Sequence, residues 1–172
     1  MRSRRLFLCW LIPALILLCI SGWIVFRIDP FFHYHAPLTE RYAYRLDSER
    51  YQNDGILRHF DYDTVLIGSS VTRNFKTSET DALFGVHSVK IPFGGTTYKE
   101  INDTLVRLFS HHPDVHTVIR ALDMTVTVFL NPDLGRNNLP DYLYNDFPLD
   151  DVHYLLNRDV LFDRSLSMIL ER

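Results

Sequence analysis

The segment that most restricts the fold is an uncharged, mostly apolar run of 21 residues from Leu6 to Phe26. At 1.5 Å per residue, a helix of this length matches the hydrocarbon core of a bilayer. Pro13 is tolerated in a membrane helix, and Trp10 and Trp23 are placed for its two interfaces. The sequence therefore predicts a single transmembrane helix at the amino terminus.

Three basic residues precede this run: Arg2, Arg4 and Arg5. The positive-inside rule then puts the amino terminus in the cytoplasm and the remaining chain outside the plasma membrane. Residues 1–28 are thus predicted to be a basic tip and a single-pass anchor.

Two kinds of processed leader compete with an uncleaved anchor. A secretory signal peptide ends in a small-residue cleavage site, but the apolar run continues past Ser21-Gly22, its only small pair. A lipoprotein leader would modify Cys19, yet Leu18 stands where a small residue is wanted. Both patterns favour an anchor that is retained.

Cysteine placement and charge exclude several classes of function. Cys9 and Cys19 both lie inside the apolar run, so the chain beyond it offers neither a disulfide nor a cysteine nucleophile. From Asp29 onward the chain has 14 basic and 21 acidic residues, a net charge of −7 with histidine neutral. This balance argues against a nucleic-acid partner.

Residues 29–60 are rich in aromatic and charged side chains and show no helical or strand periodicity over their first part. They are predicted to form an extended juxtamembrane segment on the domain surface. His33-Tyr34-His35 suggests either a metal site or ordinary packing. Because neither a carboxylate nor a thiolate accompanies the two histidines, packing is favoured and no metal is expected.

From residue 61 onward, short apolar runs alternate with helical patterns. Either Thr96 or Thr97 is predicted to cap one of these helices, and Glu100 lies three residues after Thr97 as in a capping box. Strands separated by helices predict an α/β domain with a parallel βαβαβ unit. The predicted strands are 64–67, 88–93 and 115–122, and the predicted helices are 78–84 and 97–110.

The pattern changes towards the carboxyl end. Turn-forming residues predict a loop over 131–141, followed by a helix over 148–157 and an amphipathic stretch over 160–170. Three parallel strands make a small sheet, and the sequence stops within a helical pattern. The chain is therefore expected to be a fragment, with the domain of residues 61–172 incomplete at its carboxyl end.

Three polar or glycine-containing loops follow the three predicted strands: Gly68-Ser69-Ser70, Gly94-Gly95 and Asp123. Ligands of open α/β sheets bind at the carboxyl ends of the strands. A serine on such a loop is either a nucleophile near backbone N–H groups or the cap of the next helix. The order of the three loops favours the nucleophile.

These motifs resemble the SGNH (GDSL-like) hydrolase superfamily, especially membrane-anchored members such as the D-alanyl transfer proteins of teichoic acid modification. The resemblance covers about residues 61–123 and implies a three-layer, flavodoxin-like parallel sheet of which only the first βαβαβ part is included. It implies Ser70 as the nucleophile, after Gly68, and Gly94 or Gly95 as an oxyanion donor. Asp123 stands where the family has an asparagine. An ionised carboxylate, unlike an asparagine amide, cannot donate a hydrogen bond to an oxyanion.

The superfamily's catalytic base is a histidine with an aspartate three residues earlier. Asp150 and His153 have this spacing on the predicted helix of residues 148–157. The resemblance therefore implies them as the base and its partner. Alternatively, that pair lies beyond Arg172 and His153 is a residue of the helix surface.

The resemblance implies a membrane-anchored, extracytoplasmic serine hydrolase or acyltransferase that needs no cofactor. Its substrate would be a cell-envelope glycan or the acyl esters of one. Two alternatives stay open: a catalytically idle module that binds envelope polymer or a membrane partner, and a non-functional fragment. No oligomeric state is predicted.

Overall fold

The computed structural model describes residues 2–122 and 139–171, with side chains described from Phe7 onward. The described chain divides into two compact units, and each is considered by itself. The anchor unit consists of Met1–Pro30, Pro37–Arg45 and Tyr142–Arg172. The sheet unit consists of Phe31–Ala36 and Leu46–Asp141.

A parallel sheet organises the sheet unit. Its three strands within the described residues are β1 (Thr64–Ser69), β2 (Ser88–Phe93) and β3 (Thr117–Arg120), in the order β2-β1-β3. β1 is central and parallel to both neighbours, and Thr64 lies opposite Ser88 and Thr117. The predicted α/β class with a parallel sheet is confirmed. β3 is shorter than the predicted strand of residues 115–122.

Helices connect the strands where the sequence predicted them. α3 spans Thr77–Phe84, and α4 spans Tyr98–His111. The Thr97 hydroxyl accepts a hydrogen bond from the N–H of Glu100 at 3.2 Å, so Thr97 is the cap of the two that the sequence offered. A short 3₁₀ helix, Ser70–Asn74, also follows β1 directly, and it is called η1 below.

The core of the sheet unit includes side chains from β1, β2 and α4. Side chains from these three elements are fully buried and together supply the apolar area that stabilises the sheet. They are Val65 and Ile67, Ile91 and Phe93, and Ile101 and Leu108. Burial of all six residues of β1 matches a central parallel strand, which is covered on both faces.

The expectation of an extended surface segment over residues 29–60 is wrong for its second half. Glu49–His59 forms a helix, α2, which contacts β2 and α4. Its buried residues include Asn53, whose amide donates to the Pro92 carbonyl at 2.8 Å, and Asp54. Asp54 forms ion pairs with Arg58 and Arg107, each at 2.8 Å. Because this helix buries paired polar groups, no apolar periodicity indicated it.

The anchor unit begins with a long helix, α1 (Arg2–Ile28). Its 22-residue part Phe7–Ile28 is long and apolar enough to span a membrane, as the sequence predicted. Most of its side chains are exposed in the isolated chain, as expected for a helix whose surroundings are lipid. The helix stops at Asp29, which has a positive φ of 50° and precedes Pro30.

Three short helices from the carboxyl-terminal part pack in the anchor unit: α5 (Val152–Leu155), a π-helix (Val160–Leu166) and α6 (Ser167–Leu170). The predicted helix of residues 148–157 thus shrinks to the single turn α5. α5 and the π-helix both contact α1. The buried Tyr154 hydroxyl donates to the buried Asp29 carboxylate at 2.7 Å, which fixes α5 to the end of α1.

Candidate functional site

The two serines after β1 have different environments. Ser69 is the last residue of β1, is 1% exposed, and its hydroxyl accepts a hydrogen bond from the N–H of Val71 at 3.4 Å. Ser69 therefore caps η1. Ser70 is exposed, and its hydroxyl forms no hydrogen bond with any residue that the structure describes. Ser69 thus supplies the cap, and the hydroxyl of Ser70 is available to a ligand.

Gly68 sets the path of the chain that presents Ser70. A Cβ atom at this position would lie 2.5 Å from the Thr72 hydroxyl oxygen and 2.6 Å from the Ala121 Cβ. Both distances are shorter than the van der Waals contact distance of a carbon atom with an oxygen or with another carbon. Only glycine therefore lets η1 turn back over the end of β1, beside the residue that follows β3.

The glycine loop after β2 begins beside this serine turn. The parallel register places Gly68 opposite Pro92 and Ser69 opposite Phe93, so Ser70 and Gly94 each follow paired strand residues. Parallel strands bring their carboxyl ends to one edge of a sheet. The structure thus brings Gly68, Ser70 and both glycines of the second loop to one edge, as the sequence predicted.

The N–H of Gly94 is already engaged. It donates to the carboxylate of Glu49 at 2.9 Å, and the same carboxylate accepts two hydrogen bonds from the guanidinium of Arg73, one of them at 2.7 Å. Glu49 begins α2, and Arg73 lies in η1. One carboxylate therefore ties both glycine loops together, and it occupies a donor that an oxyanion would need.

Gly95 keeps its N–H open. It is exposed and has a positive φ of 62°, which glycine adopts without strain. Its N–H donates to no group within residues 2–122 and 139–171. Of the two glycines that the resemblance implied, Gly95 is therefore the one whose donor is available to a ligand.

The electrostatics at this edge favour a charged Glu49. Partial burial acts to raise the pKa of this carboxyl, but hydrogen bonds from Arg73 and Gly94 and the charge of Arg73 outweigh it. The pKa of Glu49 is therefore held below its ordinary range. The same pairing raises the pKa of Arg73, whose side chain is 53% exposed. Glu49 is thus an anion at neutral pH and not a proton donor.

A further cation lies at the end of β3. The guanidinium carbon of Arg120 stands 3.8 Å from the centre of the Tyr98 ring, a close cation–π arrangement. The Nε and one Nη atom of Arg120 are shielded from solvent and form no hydrogen bond to a described group. Asp123, the third predicted strand-end residue, lies outside the described residues.

Asp150 and His153 belong to the anchor unit, whereas Ser70 belongs to the sheet unit. The backbone N–H of His153 donates to the carbonyl of Asp150 at 3.0 Å, which makes the turn that leads into α5. The Asp150 carboxylate accepts from the Asn145 amide at 3.0 Å, and the His153 ring lies 6.0 Å from the Tyr142 ring. No described hydrogen bond joins the Asp150 carboxylate to the His153 imidazole. The spacing thus serves a backbone turn here.

Within residues 2–122 and 139–171, no group of three or more histidine, cysteine, aspartate or glutamate side chains is arranged to hold a metal ion. His35 has its Nδ1 atom 2.7 Å from the carbonyl of Ala36, and the rings of His33 and Tyr34 pack edge to face at 4.7 Å. Packing accounts for these contacts.

Sequence reasoning missed Glu49 and Arg73, which together decide which backbone donor is open. Arg73 lies only three residues after Ser70, so its closeness to the serine turn was available from the sequence. Glu49 offered no such signal, because α2 was not recognised and the partners of Glu49 lie 24 and 45 positions later.

Comparison with models of protein families, with curated proteins and with solved structures finds no match.

Proposed function

We propose that this chain is a membrane-anchored, extracytoplasmic, SGNH-like serine hydrolase or acyltransferase. One observation carries the proposal: Ser70 is exposed at the carboxyl end of the central strand, while Ser69 alone takes the capping role. The amino terminus would lie in the cytoplasm, because Arg2, Arg4 and Arg5 precede the apolar helix.

In the proposed reaction, the Ser70 hydroxyl attacks the carbonyl carbon of an acyl ester and forms an acyl-enzyme. A base accepts the hydroxyl proton and returns it to the departing alcohol. Water or a second hydroxyl then takes the acyl group, which regenerates Ser70. The N–H groups of Ser70, the first residue of η1, and of the exposed Gly95 would donate to the oxyanion. The substrate class is a cell-envelope glycan or its acyl esters.

A fluorophosphonate probe tests the nucleophile, because it reacts covalently with activated serine hydroxyls. The full chain in detergent micelles should be labelled, and Ser70→Ala should abolish the labelling. Ser69→Ala is the matched control, since it removes a neighbouring hydroxyl that is buried and bonded. The folded wild-type chain staying unlabelled, or Ser70→Ala retaining the label, would contradict the proposal.

The base is tested separately by His153→Ala. If His153 supplies the base, labelling should slow by about 10²–10⁴-fold. Asp150→Asn should then slow it as well, although the Asp150 carboxylate is bonded to Asn145 in this structure. Unchanged labelling in both variants assigns the proton transfer to another group, and the proposal for Ser70 stands without them.

A second candidate is a catalytically idle module that binds envelope polymer. The hydrogen bond from Gly94 to Glu49 favours it, because that bond removes one oxyanion donor. On this alternative, the folded full chain co-sediments with insoluble cell-wall glycan yet never reacts with the probe. Labelling at Ser70 excludes it.

A further inference from the structure

We infer that the carboxyl-terminal helical segment, residues 147–170, lies in the interfacial region of the membrane and buries its apolar side chains among lipids. The inference rests on the membrane anchoring by α1 proposed above, and it does not depend on the chemistry of Ser70. It names a lipid surface as the partner of this segment.

Contact with α1 sets the depth of this segment. A Cβ built at Gly22 would lie 3.8 Å from the Leu155 Cβ and 3.8 Å from a Leu156 methyl carbon, which is ordinary van der Waals contact. Gly22 is six residues before Ile28, the last residue of the apolar span. At 1.5 Å per residue, the contact lies about 9 Å inside the end of the span. Helices that lie in the membrane interface bury their apolar face by about 5–10 Å.

The segment cannot slide away from this depth without breaking buried contacts. The Tyr154 hydroxyl donates to the Asp29 carboxylate, and both residues are fully buried. The π-helix packs on α1 as well, with Val160 and Ser165 buried. At the far end of the segment, Arg45 and Glu171 form an ion pair at 2.5 Å. The segment therefore keeps its position when α1 is in a bilayer.

Large apolar side chains of this segment are exposed in the isolated chain. Leu156, which touches Gly22, is 43% exposed, and Phe162 is 56% exposed. Others are Leu149, Val152 and Leu170. At the depth of Gly22 the neighbouring medium is lipid, so Leu156 leaves water when α1 inserts, and the inference extends this burial to the other exposed apolar side chains of the segment.

The charge of the segment indicates that its membrane binding depends on apolar side chains and not on electrostatic attraction. Residues 147–170 contain four aspartates and two arginines, so the segment gains nothing from anionic lipid headgroups. Exposed charged residues such as Arg158 and Asp159 alternate with the apolar ones. This mixture is typical of a helix that lies in the interface plane with a polar side towards water.

Single-cysteine labelling with an environment-sensitive fluorophore tests the inference. Cys9 and Cys19 are first replaced by serine, and the full chain is reconstituted in phosphatidylcholine vesicles. Labels at Leu156→Cys and Phe162→Cys should be quenched by lipids that carry a doxyl group on the acyl chain. Their quenching by aqueous iodide should be several-fold weaker than that of Leu83→Cys, an exposed leucine of the sheet unit.

A label at Ile16→Cys, in the middle of α1, separates the two proposals. If this label is quenched by lipid while Leu156→Cys and Phe162→Cys are as open to iodide as Leu83→Cys, the anchor stands and the interfacial segment is refuted. If the Ile16→Cys label is also open to iodide, the anchor itself fails and the inference fails with it. Added anionic lipid should leave the Leu156→Cys signal unchanged, and a large gain in protection would refute the apolar mode.

Discussion

The two glycine loops at the carboxyl edge of the sheet begin side by side but differ in what they leave open. The loop after β1 uses Ser69 to satisfy its own backbone and leaves the Ser70 hydroxyl exposed. The loop after β2 commits the N–H of Gly94 to Glu49 and leaves only Gly95 exposed. Similar loops therefore offer different chemistry, and the difference lies in which groups the fold has already used.

The glycines themselves are required for different reasons. Gly68 is required because a side chain has no room, since the Thr72 hydroxyl and the Ala121 Cβ approach within 2.6 Å of its ideal Cβ position. Gly95 has open space around it but a positive φ of 62°. Steric crowding penalises every larger side chain, whereas a left-handed backbone is tolerated by asparagine.

The largest predicted effect comes from replacing these glycines. Gly68→Ala should destabilise the sheet unit by about 1–3 kcal/mol, because the added methyl overpacks the strand end. Gly95→Ala should cost about 1–2 kcal/mol through the left-handed backbone, and Gly95→Asn should recover most of it. Hydrogen–deuterium exchange of the β1 backbone amides in the detergent-solubilised full chain measures both effects.

Asparagine provides the contrast that decides between crowding and backbone strain. Gly68→Asn should be at least as damaging as Gly68→Ala, since the larger side chain has even less room. Recovery of wild-type exchange by Gly68→Asn would show that crowding is not the reason for this glycine. It would also remove the argument that Gly68 sets the path of η1.

An intermediate effect is expected at Glu49. Glu49→Gln should destabilise the sheet unit by about 1 kcal/mol at neutral pH, because it weakens charge-assisted hydrogen bonds while Arg73 stays half exposed. The folded pKa of Glu49 is lowered, so its stabilisation is complete above the ordinary glutamate pKa of about 4.3 and is lost as pH falls through the folded value. Urea unfolding at neutral and acidic pH measures the difference.

The difference between wild type and Glu49→Gln should therefore shrink as the pH falls below about 4. A difference that is constant with pH would refute the charged bridge between the loops. Glu79→Gln is the matched control, because Glu79 pairs with Lys76 on an exposed helix surface. It should change the stability by only a few tenths of a kcal/mol at any pH.

The strands were predictable because their signal is local. β1 and β2 are short apolar runs rich in β-branched residues and bounded by turn formers, and the predicted bounds of β2 are those observed. α2 was not predictable, because its buried Asn53 and Asp54 are polar and their partners lie 39 and 53 positions later. Long-range pairing leaves no periodic pattern in the sequence.

The candidate site shows the same division. The order of the strand-end loops placed Ser70 and the glycines at one edge, and parallel topology alone suffices for that. Which donor remains open depends on Glu49 and Arg73, whose pairing is a property of the folded chain. The three-residue spacing of Asp150 and His153 does not identify a catalytic pair, because the same spacing is typical of a helical turn.

The smallest predicted effect is the loss of the Ser69 cap, and the loss of the Thr97 cap is its comparison. Thr97→Ala removes a 3.2 Å hydrogen bond at the start of the 14-residue α4 and should cost about 1 kcal/mol. Ser69→Ala removes a 3.4 Å bond at the start of the five-residue η1. Because that bond is near the limit of useful geometry, its loss should cost only a few tenths of a kcal/mol.

Urea unfolding of the two alanine variants measures this pair, and fluorophosphonate labelling adds the functional contrast. Ser69→Ala should keep Ser70 reactive, since the chain path over the end of β1 is set by Gly68 and by the bond of Arg73 to Glu49. A loss of labelling in a stable Ser69→Ala variant would mean that the cap positions the nucleophile. The two serines would then form one functional unit, and the contrast between a loop that leaves its serine free and a loop that engages its N–H would no longer hold.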